Sequence, residues 1–426
     1  MNIFVIVIFA IGYLAIIFEE FLKINKTASA LLTAVLCWLL IILGSSQQDE
    51  VINELSKHLS SISEIVFFLL GAMTIVEIVD SHDGFQFITD KIRTDKKNNL
   101  IWLISLITFF LSAVLDNLTT TIVMATIISK LVVDKKAKWL LLGLVVISAN
   151  AGGAWSPIGD VTTTMLWIGD QISPANIIKQ TIFPSLICMV IPTIIVGFMI
   201  KGKIHLNSVS DIKVNSHSSQ KERNLIFFVG VGALLFVPVF KTITHLPPYM
   251  GMMLSLGFLW MFTEIIHFRK PESEKKIYSV SSALQKIDTP SVLFFFGILM
   301  TIASLEYIHV LPAMAKQLNQ AVGSLENVAI GIGFLSAIFD NVPLVAVLQG
   351  MYSLETYPTD HYFWELLAYC AGTGGSCLII GSAAGVAVMG MEKIDFIWYL
   401  KNISWIAVIG FLSGALFFIL QHSIFS

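Results

Sequence analysis

Apolar runs of roughly 17–25 residues, the length a helix needs to cross about 30 Å of hydrocarbon, recur along the whole of this chain. Lipid offers no partner for backbone polar groups, so runs of this kind fold as helices or as a closed barrel. Isoleucine, leucine and phenylalanine fill them without the period-2 alternation a barrel strand requires. A mean hydropathy of +0.81, with 56% hydrophobic and 13% charged residues, excludes an ordinary soluble domain. The expected class is an all-α polytopic membrane protein embedded in a lipid bilayer. The net charge of −3 is carried by loops and points to no nucleic-acid partner. Cys37, Cys188, Cys370 and Cys377 lie in apolar spans without metal-ligand or disulfide spacing. No cofactor is expected. Met1 to Phe18 lacks a basic leader and a small-residue cleavage site, so it reads as the first span.

One octapeptide occurs twice. Phe110-Leu-Ser-Ala-Val-Leu-Asp116-Asn117 returns as Phe334-Leu-Ser-Ala-Ile-Phe-Asp340-Asn341, with six of eight positions identical and an offset of 224 residues. Each copy sets a carboxylate and an amide at the end of an apolar stretch. A carboxylate in that setting is costly and points to function. Its recurrence points to internal duplication.

The first half reads as spans 3–22, 28–44, 62–80, 139–168 and 174–200, with two shorter arms, 99–115 and 118–133, meeting at Asp116-Asn117. The second half reads as 224–240, 248–268, 290–307, 364–391 and 397–421, with arms 325–339 and 342–354 meeting at Asp340-Asn341. Residues 201–223 form a polar linker, and 49–60 is too polar to span, reading as a surface helix or loop. At about 1.5 Å per residue the arms are short for a crossing, so each pair reads as a re-entrant hairpin. Each half then has five crossings, and 22 of the 26 Lys and Arg residues fall on one side, which marks the cytoplasm. An odd number of crossings inverts residues 224–426 relative to 1–200. Both termini are then outside, the linker is cytoplasmic, and the two tips approach one midplane from opposite faces, the architecture of secondary transporters.

A second pair of motifs accompanies the tips. Ser148-Ala-Asn150-Ala-Gly152-Gly153, running on through Ser156-Pro157-Ile-Gly159-Asp160, aligns at an offset of 222 with Cys370-Ala-Gly372-Thr373-Gly374-Gly375-Ser376, running on to Gly381-Ser382. Glycine permits positive φ and close backbone approach, and Pro157 removes a donor from the ladder. Spans 139–168 and 364–391 are therefore expected to be broken, freeing carbonyls and helix ends near a bound ion. A small-residue packing face is the other reading of the glycines.

With their Asp-Asn tips and Gly-Gly…Ile-Gly breaks, these motifs resemble the ion transporter superfamily, which includes sodium-coupled dicarboxylate carriers and arsenite-type anion permeases. Many members carry Ser-Asn-Thr at the tip, whereas acid replaces the serine in both tips here. The strings Asp116-Asn-Leu-Thr-Thr-Thr, Ser156-Pro-Ile-Gly-Asp-Val-Thr-Thr and Gly381-Ser-Ala-Ala-Gly-Val-Ala-Val-Met-Gly are most similar to the NhaD-type sodium/proton antiporters. The resemblance covers essentially the whole chain. It implies exchange of cytoplasmic Na⁺ or Li⁺ for external H⁺ across the cell (inner) membrane, serving pH and sodium homeostasis. It also implies an elevator-like movement in a homodimer.

Asp116 and Asp340 are candidates to bind Na⁺ through oxygen and to take up H⁺ when the ion leaves, since a bound cation and a proton compete for one carboxylate. Asn117 and Asn341 supply amides that either bind the ion or cap the following arm. Thr119 and Thr120 follow the first tip, while Thr121 reads as packing. Asp160, three residues past Pro157, is the expected second acid, flanked by Thr162 and Thr163. Asn150 joins it, and Ser376 and Ser382 offer hydroxyls from the other half. Na⁺ itself is expected at Asp116, Asn117 and Asp160. Because Pro343 replaces a threonine and Ser382 stands opposite Asp160, the halves are expected to differ in chemistry. Glu77, Asp80 and His82 read as interfacial, a pH-sensing histidine being the other reading. Glu365 also reads as interfacial, and Trp38 and Trp364 read as belt residues.

An anion carrier would recruit cationic or neutral donors at the tips, whereas this chain places acids there. An intramembrane hydrolase would need a Ser/His or paired-Asp centre, and no histidine falls at mid-span. For the topology, a cysteine introduced as His217→Cys should react with an impermeant maleimide only from the cytoplasmic side of sealed vesicles. Labelling from outside overturns the frame.

Overall fold

A computed structural model describes residues 2–89, 96–200, 219–268 and 270–425, and no β-strand occurs among them. Among the described residues, eight helices are long and apolar enough to cross a membrane. They are Lys26–Gly44, Gln48–Ser81, Lys97–Leu115, Pro174–Met199, Gln220–Thr244, Pro248–His267, Thr289–Tyr307 and Phe396–Ile424. Shorter apolar helices are Asn2–Ile17, Asn117–Leu131, Leu325–Ser336, Asn341–Met351 and Ala383–Glu392. Large apolar side chains cover the outside: Val35 is 66%, Leu43 71%, Phe198 81% and Ile265 66% exposed. An outer surface of that kind is stable only against lipid. The fold is that of a multi-pass helical membrane protein. Most of the polar linker (201–218) lies outside the described residues.

The two expected breaks occur. Helix Lys135–Gly153 stops and Val161–Ile168 follows, and helix Tyr362–Gly374 stops before a short 3₁₀ turn, with Ala383–Glu392 following. These broken segments form the buried centre. Every residue from Leu140 to Gly153 is buried, and so is every residue from Phe363 to Cys377.

The repeated glycines and serines explain how the arms lie so close to that centre. A Cβ on Gly152 would sit 2.1 Å from the Phe109 carbonyl oxygen, and one on Gly374 would sit 2.1 Å from the Gly333 oxygen. Gly159 and Gly381 face the Ser112 and Ala337 carbonyl oxygens in the same way, at 2.8 and 2.4 Å. The repeated serine completes each contact: the Ser112 hydroxyl donates to Ala149 O at 2.6 Å, and Ser336 donates to Ala371 O at 2.8 Å. None of these glycines has a positive φ. Close approach is thus their purpose, and the freed φ expected from sequence is not used.

Polar contacts gather the helix ends into two groups. The Lys97 ammonium donates to Gly197 O and Ile200 O at 3.0 and 2.6 Å, and Lys138 lies 3.6 Å from Glu392. At the other end Lys241 pairs with Asp170 at 3.0 Å, and the Asp360 carboxylate accepts from Ser173 N and Oγ at 2.6 and 2.8 Å.

Six sequence expectations need correction. Segment 49–60 is continuous with the third span in one helix of 34 residues, Gln48–Ser81. At about 1.5 Å per residue that helix outruns the hydrocarbon, and its polar first turns project beyond it. The first hairpin arm has 19 residues, enough to span by length. His82 is fully buried, its ring stacked on His267 and Tyr278. Burial pulls its imidazole down to about 4, so it stays neutral at physiological pH. Glu365 and Trp364 are buried as well, Glu365 against the Asn176 amide and the Trp364 indole N–H on Tyr357 O. Trp38 likewise is 6% exposed and donates to Met300 O.

Adding a methyl at Gly152 or Gly374 forces backbone apart, an overpacking cost of about 1–3 kcal/mol or more. Gly152→Ala and Gly374→Ala should each lower the melting temperature of the detergent-solubilised protein by several degrees. Gly257→Ala, which meets nothing within 4 Å, should not.

Candidate ion-binding site

Four short helices begin at one place. Those starting at Asn117, Val161, Asn341 and Ala383 are capped by Asp116, Asp160, Asp340 and Ser382, and each cap side chain accepts a backbone N–H of its own first turn. All four caps line a single cavity of about 120 Å³, together with Asn117, Thr119, Thr164, Asn341, Lys26 and apolar groups that include Phe68, Val114, Met252 and Phe294. Each helix N-terminus carries about half a positive charge. Bare, four of them would make an anion seat. The chain fills three of the four with its own carboxylates.

The carboxylates differ in their partners. Asp116 accepts from Thr119 N at 2.8 Å and from the Thr119 hydroxyl at 3.0 Å. Asp160, 3% exposed, accepts from Thr162 N at 3.4 Å and from the Asn341 amide at 3.2 Å. These donors are neutral. Asp340 accepts from Val342 N at 3.2 Å and from the Lys26 ammonium at 3.0 Å. A full negative charge set against half a positive one leaves Asp116 and Asp160 net negative.

The asparagines tie the halves together. The Asn117 amide donates to Asn150 Oδ1 at 3.1 Å, and the Asn150 amide donates to the Ser376 and Ser382 hydroxyls at 2.9 and 3.0 Å. Asn150, with no exposed surface, is the hub of a buried relay from the first tip to the second break. Asn341 crosses the other way, from the second tip to Asp160.

Asp116 adopts φ 82° and ψ 161°, a region other residues leave to glycine and one that costs of order 1–3 kcal/mol. Asp340 is relaxed at φ −55° and ψ 133°. The two tips share a sequence but not a backbone, and the strained copy is the one without a cationic partner.

Of the twelve candidate residues, seven line the cavity: Asp116, Asn117, Thr119, Asp160, Asp340, Asn341 and Ser382. Asn150 and Ser376 stand one hydrogen bond behind the wall. Thr120, Thr162 and Thr163 are buried off it. The Thr163 hydroxyl bonds the Asp160 carbonyl, and that of Thr120 has no hydrogen-bond partner. Sequence reasoning missed Lys26, placed among the loop cations, and Thr164, whose hydroxyl holds the Pro157 carbonyl at 3.0 Å. The signal for Lys26 was its place at the first residue of an apolar helix rather than in a linker.

A larger cavity of about 430 Å³ shares Met73, Val76, Leu118 and Thr119 with the first. Its far wall holds Glu77, Asp80, Asp83 and Asp288, with Lys130 and Lys286.

Asn150→Ala takes away the hydrogen-bond partner of the Asn117 amide and of the Ser376 hydroxyl, and an unpaired buried polar group costs about 1–3 kcal/mol. Na⁺ affinity, read by ²²Na⁺ binding to purified protein, should fall by about tenfold or more. Ser376→Ala, which removes one of two acceptors, should lose less.

The citrate transporter (CitMHS) family matches residues 13–372. Sodium/proton antiporter 1 of Arabidopsis thaliana is 48% identical over 98% of this chain and 72% of its own length. Sodium/proton antiporter 2 of the same plant is 46% identical over 98% and 99%. The Na⁺/H⁺ antiporter NhaD of Alkalimonas amylolytica is 29% identical over 95% and 87%. The chain belongs to the citrate transporter (CitMHS) family and groups with the NhaD-type sodium/proton antiporters.

Proposed function

We propose that the protein is a secondary antiporter that moves cytoplasmic Na⁺, and Li⁺, outward in exchange for external H⁺. Three acid-capped helix ends around one cavity carry this reading, because two of those acids have only neutral donors. Na⁺ is held by Asp116, Asn117 and Asp160, with the Asn150 relay fixing the amide. A proton takes its place on the same carboxylates when the ion leaves, which couples the two fluxes. Relatives named as sodium/proton antiporters support the assignment.

In this reading residues 1–200 and 224–426 are inverted halves joined by a cytoplasmic linker at 201–223. The contact of Lys97 with the end of helix Pro174–Met199 supports a first hairpin that enters and leaves from the cytoplasm. So does the presence of Lys130 and Leu131 beside Lys286. The 430 Å³ cavity is then the cytoplasmic vestibule, and its four acids concentrate cations. Both termini lie outside the cell membrane, and a homodimer with an elevator-like movement follows the family resemblance.

Everted vesicles with an acidified lumen and a pH dye should alkalinise on addition of Na⁺ or Li⁺. K⁺, citrate and succinate should give no response. Accumulation of citrate or succinate without cation-driven proton movement would place the protein with the anion carriers instead. Asp116→Asn isolates the charge, since asparagine also caps helices and tolerates positive φ. The variant should insert normally and lose exchange by at least a hundredfold. Retained exchange would make the tip acid structural.

A further inference from the structure

We propose that Lys26 is a resident counter-cation that closes the second tip to Na⁺, so that the transported ion is held by Asp116, Asn117 and Asp160 and not by Asp340. The inference rests on the antiport reading above and specifies which half of the site it uses. Lys26 opens helix Lys26–Gly44 and its ammonium lies 3.0 Å from Asp340 Oδ2, with both side chains about one-third exposed (34% and 28%). The other Asp340 oxygen caps the following helix through Val342 N. Both oxygens are therefore engaged, one by a full positive charge. The ammonium also sits 4.6 Å from the centre of the Phe294 ring, which favours a cation at that point. Phe294 and Ser291 wall the same cavity.

The repeat makes the asymmetry explicit. Lys26 opens its helix as Pro248 opens helix Pro248–His267, the corresponding span of the second half. That helix gives the cavity Met252, and its neighbour gives Leu234, both apolar. The first tip thus faces no lysine from the equivalent helix. Of the two acidic tips, the second is the one paired with a lysine. A tethered ammonium holds its place at high effective concentration, so free Na⁺ competes poorly for Asp340.

Equilibrium ²²Na⁺ binding to the purified full-length protein tests this. The wild type should bind one Na⁺ per chain. Lys26→Gln and Lys26→Cys should each bind a second, and the double variant Lys26→Gln/Asp340→Asn should return to one. The Cys variant should also return to one after reaction with an aminoethyl thiosulfonate, which rebuilds the ammonium on the same folded sample. The native cysteines are all buried, which keeps that reaction local. Lys26→Arg should behave as wild type. A single Na⁺ in Lys26→Gln and Lys26→Cys, or a second one that persists in the double variant, overturns the proposal. Full Na⁺ binding by Asp116→Asn would instead defeat the site assignment on which it stands.

Discussion

A carboxylate placed on the N-terminus of a membrane-buried helix is the interaction on which this structure turns. A helix end lends about half a positive charge, and four such ends meet at one cavity. Left bare they would demand an anion. Filled with Asp116, Asp160 and Asp340 they keep the helices capped and present net negative charge to whatever enters.

That arrangement needs four helix starts inside the protein, and the packing supplies them. The arms reach the centre because Gly152 and Gly374 let the Phe109 and Gly333 carbonyls approach as no larger residue would. Ser112 and Ser336 fasten the contacts. Breaks after Gly153 and around the 3₁₀ turn at Gly375–Cys377 then allow new helices to begin at the cavity. The breaks cost little in unsatisfied backbone because side chains take over: Thr164 holds the Pro157 carbonyl and Ser156 holds the Ile158 N–H at 3.4 Å.

Much of this was legible in the chain because duplication writes each device twice. The octapeptide located both tips, and the glycine register located both breaks within a few residues. Other features had no local signal. Glycines at 152 and 374 read equally as flexible or as small, and only the facing carbonyls decide between the two. Lys26 read as one more cytoplasmic cation because its partner lies 314 positions away. His82 and Glu365 were judged by distance along the chain from a span end, yet burial depends on what packs across from them. The strain at Asp116, absent at Asp340, is invisible in two nearly identical octapeptides.

The most direct test of the account is whether Na⁺ and H⁺ share the capping carboxylates. Purified protein in weakly buffered detergent solution, held near the apparent pKa of Na⁺ binding, should release protons when Na⁺ is added. K⁺ should release none, and the release should vanish in the double variant Asp116→Asn/Asp160→Asn. Saturable Na⁺ binding without proton release, or release that survives in that double variant, would contradict it.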